Sequence, residues 1–113
     1  AALDLAIVEV PTTIIVGGTA AERGAAIERL RLERAATEPA TVFGAPAGCL
    51  CCVGLVTFRV ALTRLLREER PGRLIIELDG SDHADRTLAM LRGEWFSKAL
   101  RIERVERLTS SPG

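Results

Sequence analysis

Short apolar runs alternate with helical segments along this chain, and this alternation constrains its fold more than any other feature. Thr12 to Val16 is β-branched throughout and ends at Gly17-Gly18, which indicates a short buried strand followed by a tight turn. Thr19 is then well placed to cap a helix that begins at Ala20 and runs to about residue 36. These residues therefore predict a strand–turn–helix unit.

The same order of strand and helix recurs further along the chain. Pro39 and the Pro71-Gly72 pair separate these segments. The pattern predicts strands over 40–43 and 73–78, helices over 53–70 and 82–91, and a last strand over 102–108 whose apolar spacing is three rather than two. This alternation predicts an α/β fold with three layers, in which a mainly parallel sheet of about four strands carries helices on its faces. We expect one domain over residues 1–113.

The segment from Leu3 to Val10 is a further apolar run, and Pro11 interrupts it before the strand at Thr12. It can form a hairpin with that strand or add to an edge of the sheet. A sheet this small has strand edges that must be paired or covered. We therefore expect a homo-oligomer or a complex with a larger protein, with the segment from Leu3 to Val10 as the candidate interface.

Composition excludes several classes of function. The chain has 113 residues, of which 48% are hydrophobic and 27% charged, so it can bury a core. Its 15 basic residues balance 15 acidic ones, which gives no electrostatic reason to expect nucleic acid or a membrane surface as partner. No apolar run is long enough to span a bilayer, and the first nine residues lack the basic cluster of a signal peptide. We expect a cytoplasmic protein.

The three cysteines, Cys49, Cys51 and Cys52, fall within four positions. An odd and clustered set is a poor disulfide framework, and in a reducing compartment it points to metal or redox chemistry. Thiolates are good ligands for zinc and similar ions. A fourth ligand would come from water, an acidic side chain, a second chain or His83, the only histidine. Alternatively, the cysteines are small buried hydrophobes, or one is a reactive thiol beside the N-terminus of the following helix.

The motif Gly48-Cys49-Leu50-Cys51-Cys52, followed later by Ile-Ile-Glu-x-x-Gly over 75–80, resembles the CobW-like P-loop GTPases and metallochaperones. The strand, glycine turn and helix before them lie in the same order as in that family. The resemblance implies a reduced P-loop NTPase-like fold and metal binding by the three cysteines. It also implies that Glu77 lies near the nucleotide and the metal, although this glutamate can equally pair with one of the many arginines.

The phosphate-binding motif departs from the family pattern. A working P-loop reads Gly-x-x-x-x-Gly-Lys-Ser/Thr, and its lysine and hydroxyl contact phosphate and magnesium. Here Arg23, Gly24 and Ala25 stand at the last three positions, and the only lysine, Lys98, is far away in sequence. The chain also contains no Asn and hence no Asn-Lys-x-Asp motif for guanine. We infer that GTPase activity is lost and do not expect magnesium and GTP as ligands.

Gly17, Gly18 and Thr19 form the turn that would lead into the first helix. Backbone N–H groups at a helix N-terminus bind phosphate or sulfate, so these residues form a candidate residual phosphate site. The alternative is a plain turn and N-cap without a ligand.

The sequence as a whole favours a metal-binding accessory or chaperone-like protein, without catalytic residues, that holds zinc or a similar divalent ion. Two alternatives belong to other classes. One is a protein-interaction module with structural cysteines and no metal, and the other is a thiol redox protein.

Overall fold

The computed structural model describes residues 9–33, 40–44, 54–78 and 82–108. These residues form four strands and four helices: β1 (Val10–Gly17), α1 (Ala20–Glu33), β2 (Ala40–Gly44), α2 (Gly54–Glu68), β3 (Arg73–Leu78), α3 (Asp82–Arg92), α4 (Glu94–Ser97) and β4 (Leu100–Leu108). The strands make one sheet in the order β2-β3-β1-β4, and every neighbouring pair is parallel. The predicted parallel α/β architecture is confirmed.

The central strands β1 and β3 are apolar on both faces because both faces are covered by helices. Ile14 of β1 lies opposite Ile76 of β3, and all four isoleucines of these strands are inaccessible or nearly so. A strand buried on both sides reads as a continuous apolar run, which is the pattern that Thr12–Val16 and Arg73–Leu78 show.

Two separate apolar cores lie on the two faces of the sheet, because successive residues of a strand point to opposite sides. On one face, Phe58 of α2 and Phe96 of α4 belong to the larger core. On the other face, Ile27 and Leu30 of α1 pack with Ile15 and Ile75. The sheet thus lies between helices, which confirms the expected three layers.

The strand order accounts for which helix lies on which face. From β1 the chain crosses over β3 to reach β2, whereas from β2 and then β3 it returns in the opposite direction. Right-handed crossovers in opposite directions place their helices on opposite faces. Accordingly, α1 covers one face, and α2, α3 and α4 cover the other.

Some predicted boundaries were wrong. Strand β1 includes Pro11, which we expected to interrupt the apolar stretch, and it starts at Val10. Proline is tolerated near the start of a strand and at bulges, and the pairing with β4 shifts register between Thr12 and Thr13. Residues 3–8 of the segment from Leu3 to Val10 are outside the described residues, so the role of this segment as an interface stays a prediction.

Strand β4 begins at Leu100, earlier than predicted, and the short α4 was not foreseen. Because β4 is an edge strand, most of its side chains are at least partly exposed, and its apolar residues need not alternate strictly. Among the described residues, no helix combines the length and the apolarity that crossing a bilayer requires.

Candidate functional site

The candidate site lies where β1 and β3 end side by side. After β1 the chain turns toward β2, and after β3 it turns toward β4, so the connections diverge at the carboxyl ends of these two strands. In open parallel sheets, such a switch point leaves a crevice in which ligands bind. Gly17 is the last residue of β1 and Gly18 follows it, while Glu77 lies in the last part of β3, opposite Ile15.

The turn after β1 depends on glycine for a steric reason. Gly17 and Gly18 have φ angles of 88° and 68°, in the left-handed region that side chains disfavour. A Cβ at Gly17 would also lie 2.5 Å from the carbonyl oxygen of Leu108, which is backbone of the neighbouring strand and cannot move aside. The two glycines therefore allow the chain to leave the sheet and enter α1 within a few residues.

Helix α1 begins with a reciprocal pair of hydrogen bonds. The Thr19 N–H donates to Glu22 Oε1 at 2.8 Å, and the Glu22 N–H donates to Thr19 Oγ1 at 3.0 Å. This is a capping box, in which side chains satisfy N–H groups that the helix leaves unpaired. The N-cap predicted at Thr19 is present. The Glu22 carboxylate also supplies the negative charge that a helix N-terminus attracts.

Arg23 connects three parts of the site. Its Nε donates to Glu77 Oε2 at 2.8 Å, and its Nη1 donates to the carbonyl oxygens of Gly17 at 3.1 Å and Gly18 at 2.8 Å. The Arg23 side chain is only 12% exposed and that of Glu77 is 29% exposed. One guanidinium thus ties the first turn of α1 to the ends of β1 and β3.

Glu77 therefore has the arginine partner that one of its two alternatives expected, and its place near a nucleotide or metal stays a prediction. This pairing also gives Arg23 a role that sequence reasoning missed, because the sequence marked it only as a departure from the P-loop pattern. A signal was available: an arginine shortly after a glycine turn and a lone glutamate in an apolar strand are complementary charges in need of partners.

The polar groups of the turn are engaged differently from those of a P-loop. In a P-loop, backbone N–H groups surround an anion. Here the Gly17 and Gly18 carbonyl oxygens accept from a guanidinium, while the Thr19 N–H is engaged by a carboxylate. Gly17, Gly18 and Thr19 are therefore brought together as expected, and their use as a phosphate site stays a prediction.

The predicted metal ligands are not assembled within the described part of the chain. Cys49, Cys51 and Cys52 are outside it, in the stretch that connects β2 to α2. His83 belongs to the first turn of α3. Among the described residues, no group of three or more His, Cys, Asp or Glu side chains is arranged to hold a metal ion. The metal site stays a prediction from the sequence.

A second group of charges ties α1 to β4. Glu106 accepts hydrogen bonds from Arg29 at 2.8 Å and from Arg104 at 2.9 Å. Burial by itself would raise the pKa of Glu106, but the hydrogen bonds from Arg104 and Arg29 and their positive charges outweigh it, so the pKa is lowered. The Arg29–Glu106 pair links α1 to the edge strand, and the Arg104–Glu106 pair lies within β4.

A parallel sheet whose central strand leads through a glycine turn into a capped helix defines an α/β domain of the P-loop NTPase-like class. Within that class, the profile of the CobW/HypB/UreG nucleotide-binding domain matches residues 14–107, most of the chain, and the protein belongs to this family.

A relative gives a more specific comparison. A stretch of 46 residues, 41% of this chain, is 44% identical to the zinc chaperone YeiR of Escherichia coli (strain K12), and it covers 14% of that protein. No solved structure matches the chain at a significant level.

Proposed function

We propose that this protein is a metal-binding accessory protein of the metallochaperone type, which carries zinc or a similar divalent ion and does not hydrolyse GTP. Membership of the CobW/HypB/UreG family and the similarity to a zinc chaperone support the metal-handling part. The proposed loss of GTPase activity rests on the hydrogen bonds from Arg23 to Glu77 and to the glycine turn.

The groups that would meet a nucleotide are already engaged inside the chain. Binding of GTP phosphates at the turn would place them near the Glu22 carboxylate, which holds the Thr19 N–H and would repel them. The carboxylate of Glu77 is paired with Arg23, and Ala25 offers no hydroxyl to magnesium. Phosphoryl transfer needs the phosphate cradle, the lysine and the magnesium ligands together.

Calorimetry with GTP and Mg²⁺ tests this part of the proposal. We expect no magnesium-dependent affinity tighter than a Kd of about 1 mM, and no GTP hydrolysis above background. A variant that rebuilds the motif, with Arg23→Gly, Gly24→Lys and Ala25→Ser, shows whether the assay detects a gain of affinity. Micromolar binding of GTP by the unaltered protein would contradict the proposal.

Zinc binding is assigned to the thiolates of Cys49, Cys51 and Cys52. Sulfur is a preferred ligand of zinc, and three clustered thiolates supply most of a tetrahedral site. His83 is one candidate for the remaining ligand, beside water, an acidic side chain or a second chain. Because the ligand sulfur must be deprotonated, occupancy should fall as the pH is lowered.

A competition titration with a chromogenic zinc chelator tests the metal site. We expect the triple variant Cys49→Ser, Cys51→Ser, Cys52→Ser to bind zinc far more weakly, because serine keeps the approximate size of the side chain and removes the soft ligand. The variant His83→Ala tests the fourth ligand separately. Equal and weak zinc affinity of the unaltered protein and the triple variant would refute metal binding by this motif.

Elemental analysis of protein purified without chelator adds an independent measurement. A zinc content near one ion per chain, or one per two chains, supports the proposed cargo. Protein that contains no transition metal and cannot be loaded with zinc would leave the cysteines a structural or redox role.

A further inference from the structure

The helix α2 (Gly54–Glu68) leaves an apolar strip on its outer side. Phe58 and Leu62 are fully buried in the core beneath it. Val56 and Val60, one helical turn apart on the other side, remain 57% and 53% exposed. Isolated exposed apolar residues are ordinary, but two neighbouring ones on the same helix form a continuous aliphatic surface.

Arginines surround this strip. A groove of about 330 Å³ on α2 is lined by Arg59, Val60, Thr63, Arg64, Arg67 and Glu68. The three arginines are exposed, and Glu68 is the only acidic residue of the helix. The outer face of α2 is thus aliphatic at its centre and positively charged at its border, although the whole chain has no net charge.

The arginines elsewhere in α1 and β4 are arranged differently. Those that contact a carboxylate of this chain are Arg23, Arg29, Arg31, Arg101, Arg104 and Arg107. By contrast, the ion pairs found within the described ranges do not involve Arg64 or Arg67. Since the chain neutralises its arginines by internal carboxylates at many other positions, Arg64 and Arg67, which form no ion pair with the described residues, are available to an external carboxylate.

We propose that the outer face of α2 is a docking surface for an acidic segment of another protein, with aliphatic side chains that cover Val56 and Val60 and carboxylates that pair with Arg64 and Arg67. Guanidinium groups pair with carboxylates in a directional, often bidentate geometry. An interface with an apolar centre and a charged rim has the usual anatomy of a protein–protein contact.

A protein segment accounts for this surface better than nucleic acid does. The exposed centre is aliphatic and offers no aromatic ring on which a base can stack. A phosphate backbone also carries a charge at every nucleotide and offers no aliphatic side chain to cover Val56 and Val60. The proposal depends on α2 alone, so it holds whether or not the cysteines bind zinc.

The test uses a fluorescein-labelled helical peptide as probe, with leucines at helical spacing flanked by glutamates, and fluorescence anisotropy as readout. We expect the unaltered protein to bind it, and the double variant Arg64→Glu, Arg67→Glu to bind at least about tenfold more weakly. The double variant Val56→Ser, Val60→Ser should also weaken binding, because the aliphatic contact is removed.

A matched control carries the same change of charge elsewhere. The variant Arg31→Glu, Arg101→Glu alters exposed arginines of α1 and β4, and it should bind the peptide as the unaltered protein does. If charge reversal on α2 unfolds the protein, as judged by circular dichroism, Arg64→Gln with Arg67→Gln replaces it.

Three outcomes would overturn the proposal. The first is equal binding by the α2 variants and the control variant. The second is equal binding of a peptide in which lysines replace the glutamates. The third is failure of the acidic peptide to bind at about 1 mM, or its displacement by single-stranded DNA at lower concentration than by unlabelled peptide.

Discussion

The bonding of Arg23 should make a measurable contribution to folding stability. Arg23→Ala removes a 2.8 Å ion pair with Glu77 and two hydrogen bonds to carbonyl oxygens. A hydrogen bond to a charged group contributes roughly 1.5–3 kcal/mol when it is well buried. Here Gly17 and Gly18 are half-buried, and water can replace the lost hydrogen bonds to their carbonyl oxygens. The loss of stability is therefore smaller than the sum of the three individual contributions. We expect Arg23→Ala to lower the free energy of unfolding by about 2–3 kcal/mol.

A double-mutant cycle isolates the ion pair from the other bonds. We expect Glu77→Gln to cost about 1–2 kcal/mol, and the coupling energy between the two substitutions to be about 1–2 kcal/mol. The coupling stays below the value of a fully buried pair because Glu77 is 29% exposed and partly screened by water. Arg23→Lys should recover only part of the loss, since an ammonium group lacks the planar fork that reaches three oxygens.

The assay is urea unfolding, followed by circular dichroism and by fluorescence of the single tryptophan. Arg31→Ala is the matched control on the same helix, because Arg31 pairs with Glu28 at 3.3 Å with both side chains more than half exposed. It should cost less than about 0.5 kcal/mol. A coupling energy below about 0.5 kcal/mol between Arg23 and Glu77 would refute the reasoning.

Two further predictions concern the turn and the edge strand. Gly17→Ala should destabilise the protein by about 2–4 kcal/mol in urea unfolding, because of the positive φ and the 2.5 Å approach to the Leu108 oxygen. Gly24→Ala is the control, because no atom lies within 4 Å of the new Cβ, and it should stabilise α1 by about 0.5–1 kcal/mol. Equal effects of the two substitutions would contradict the steric argument. Because the pKa of Glu106 is lowered by its two arginine partners, their contribution is present above its ordinary pKa of 4.5 and is lost as the pH falls through the lower folded value. In thermal melts, the melting temperature of Glu106→Gln should therefore fall less steeply below pH 4.5 than that of the unaltered protein. An equally steep fall in both proteins would contradict this role of Glu106.

The sequence by itself determined most of the local elements and their order, although not α4. The β-branched run ending in two glycines predicted β1 and its turn, and Thr19 predicted the start of α1, because strand burial and helix capping depend on neighbouring residues. Parallel pairing also followed from the alternation of strands and helices, since parallel strands need a crossover between them. The motifs at Gly48–Cys52 and Ile75–Gly80 identified the family, which the profile match confirmed.

Only the tertiary structure decided which distant residues meet. The order β2-β3-β1-β4 brings the ends of β1 and β3 together, and Arg23 thereby bonds to Glu77, 54 positions away. Local patterns can mark Arg23 and Glu77 as charges that need partners, but they cannot match the two, because either residue has many oppositely charged candidates in a chain with 15 basic and 15 acidic residues. The outer face of α2 was also decided by the tertiary structure. The sequence of the helix places arginines on one face, but it is the packing of Phe58 beneath the helix that leaves Val56 and Val60 exposed beside them. Periodicity assigns residues to faces, and the arrangement of the elements decides what each face contacts.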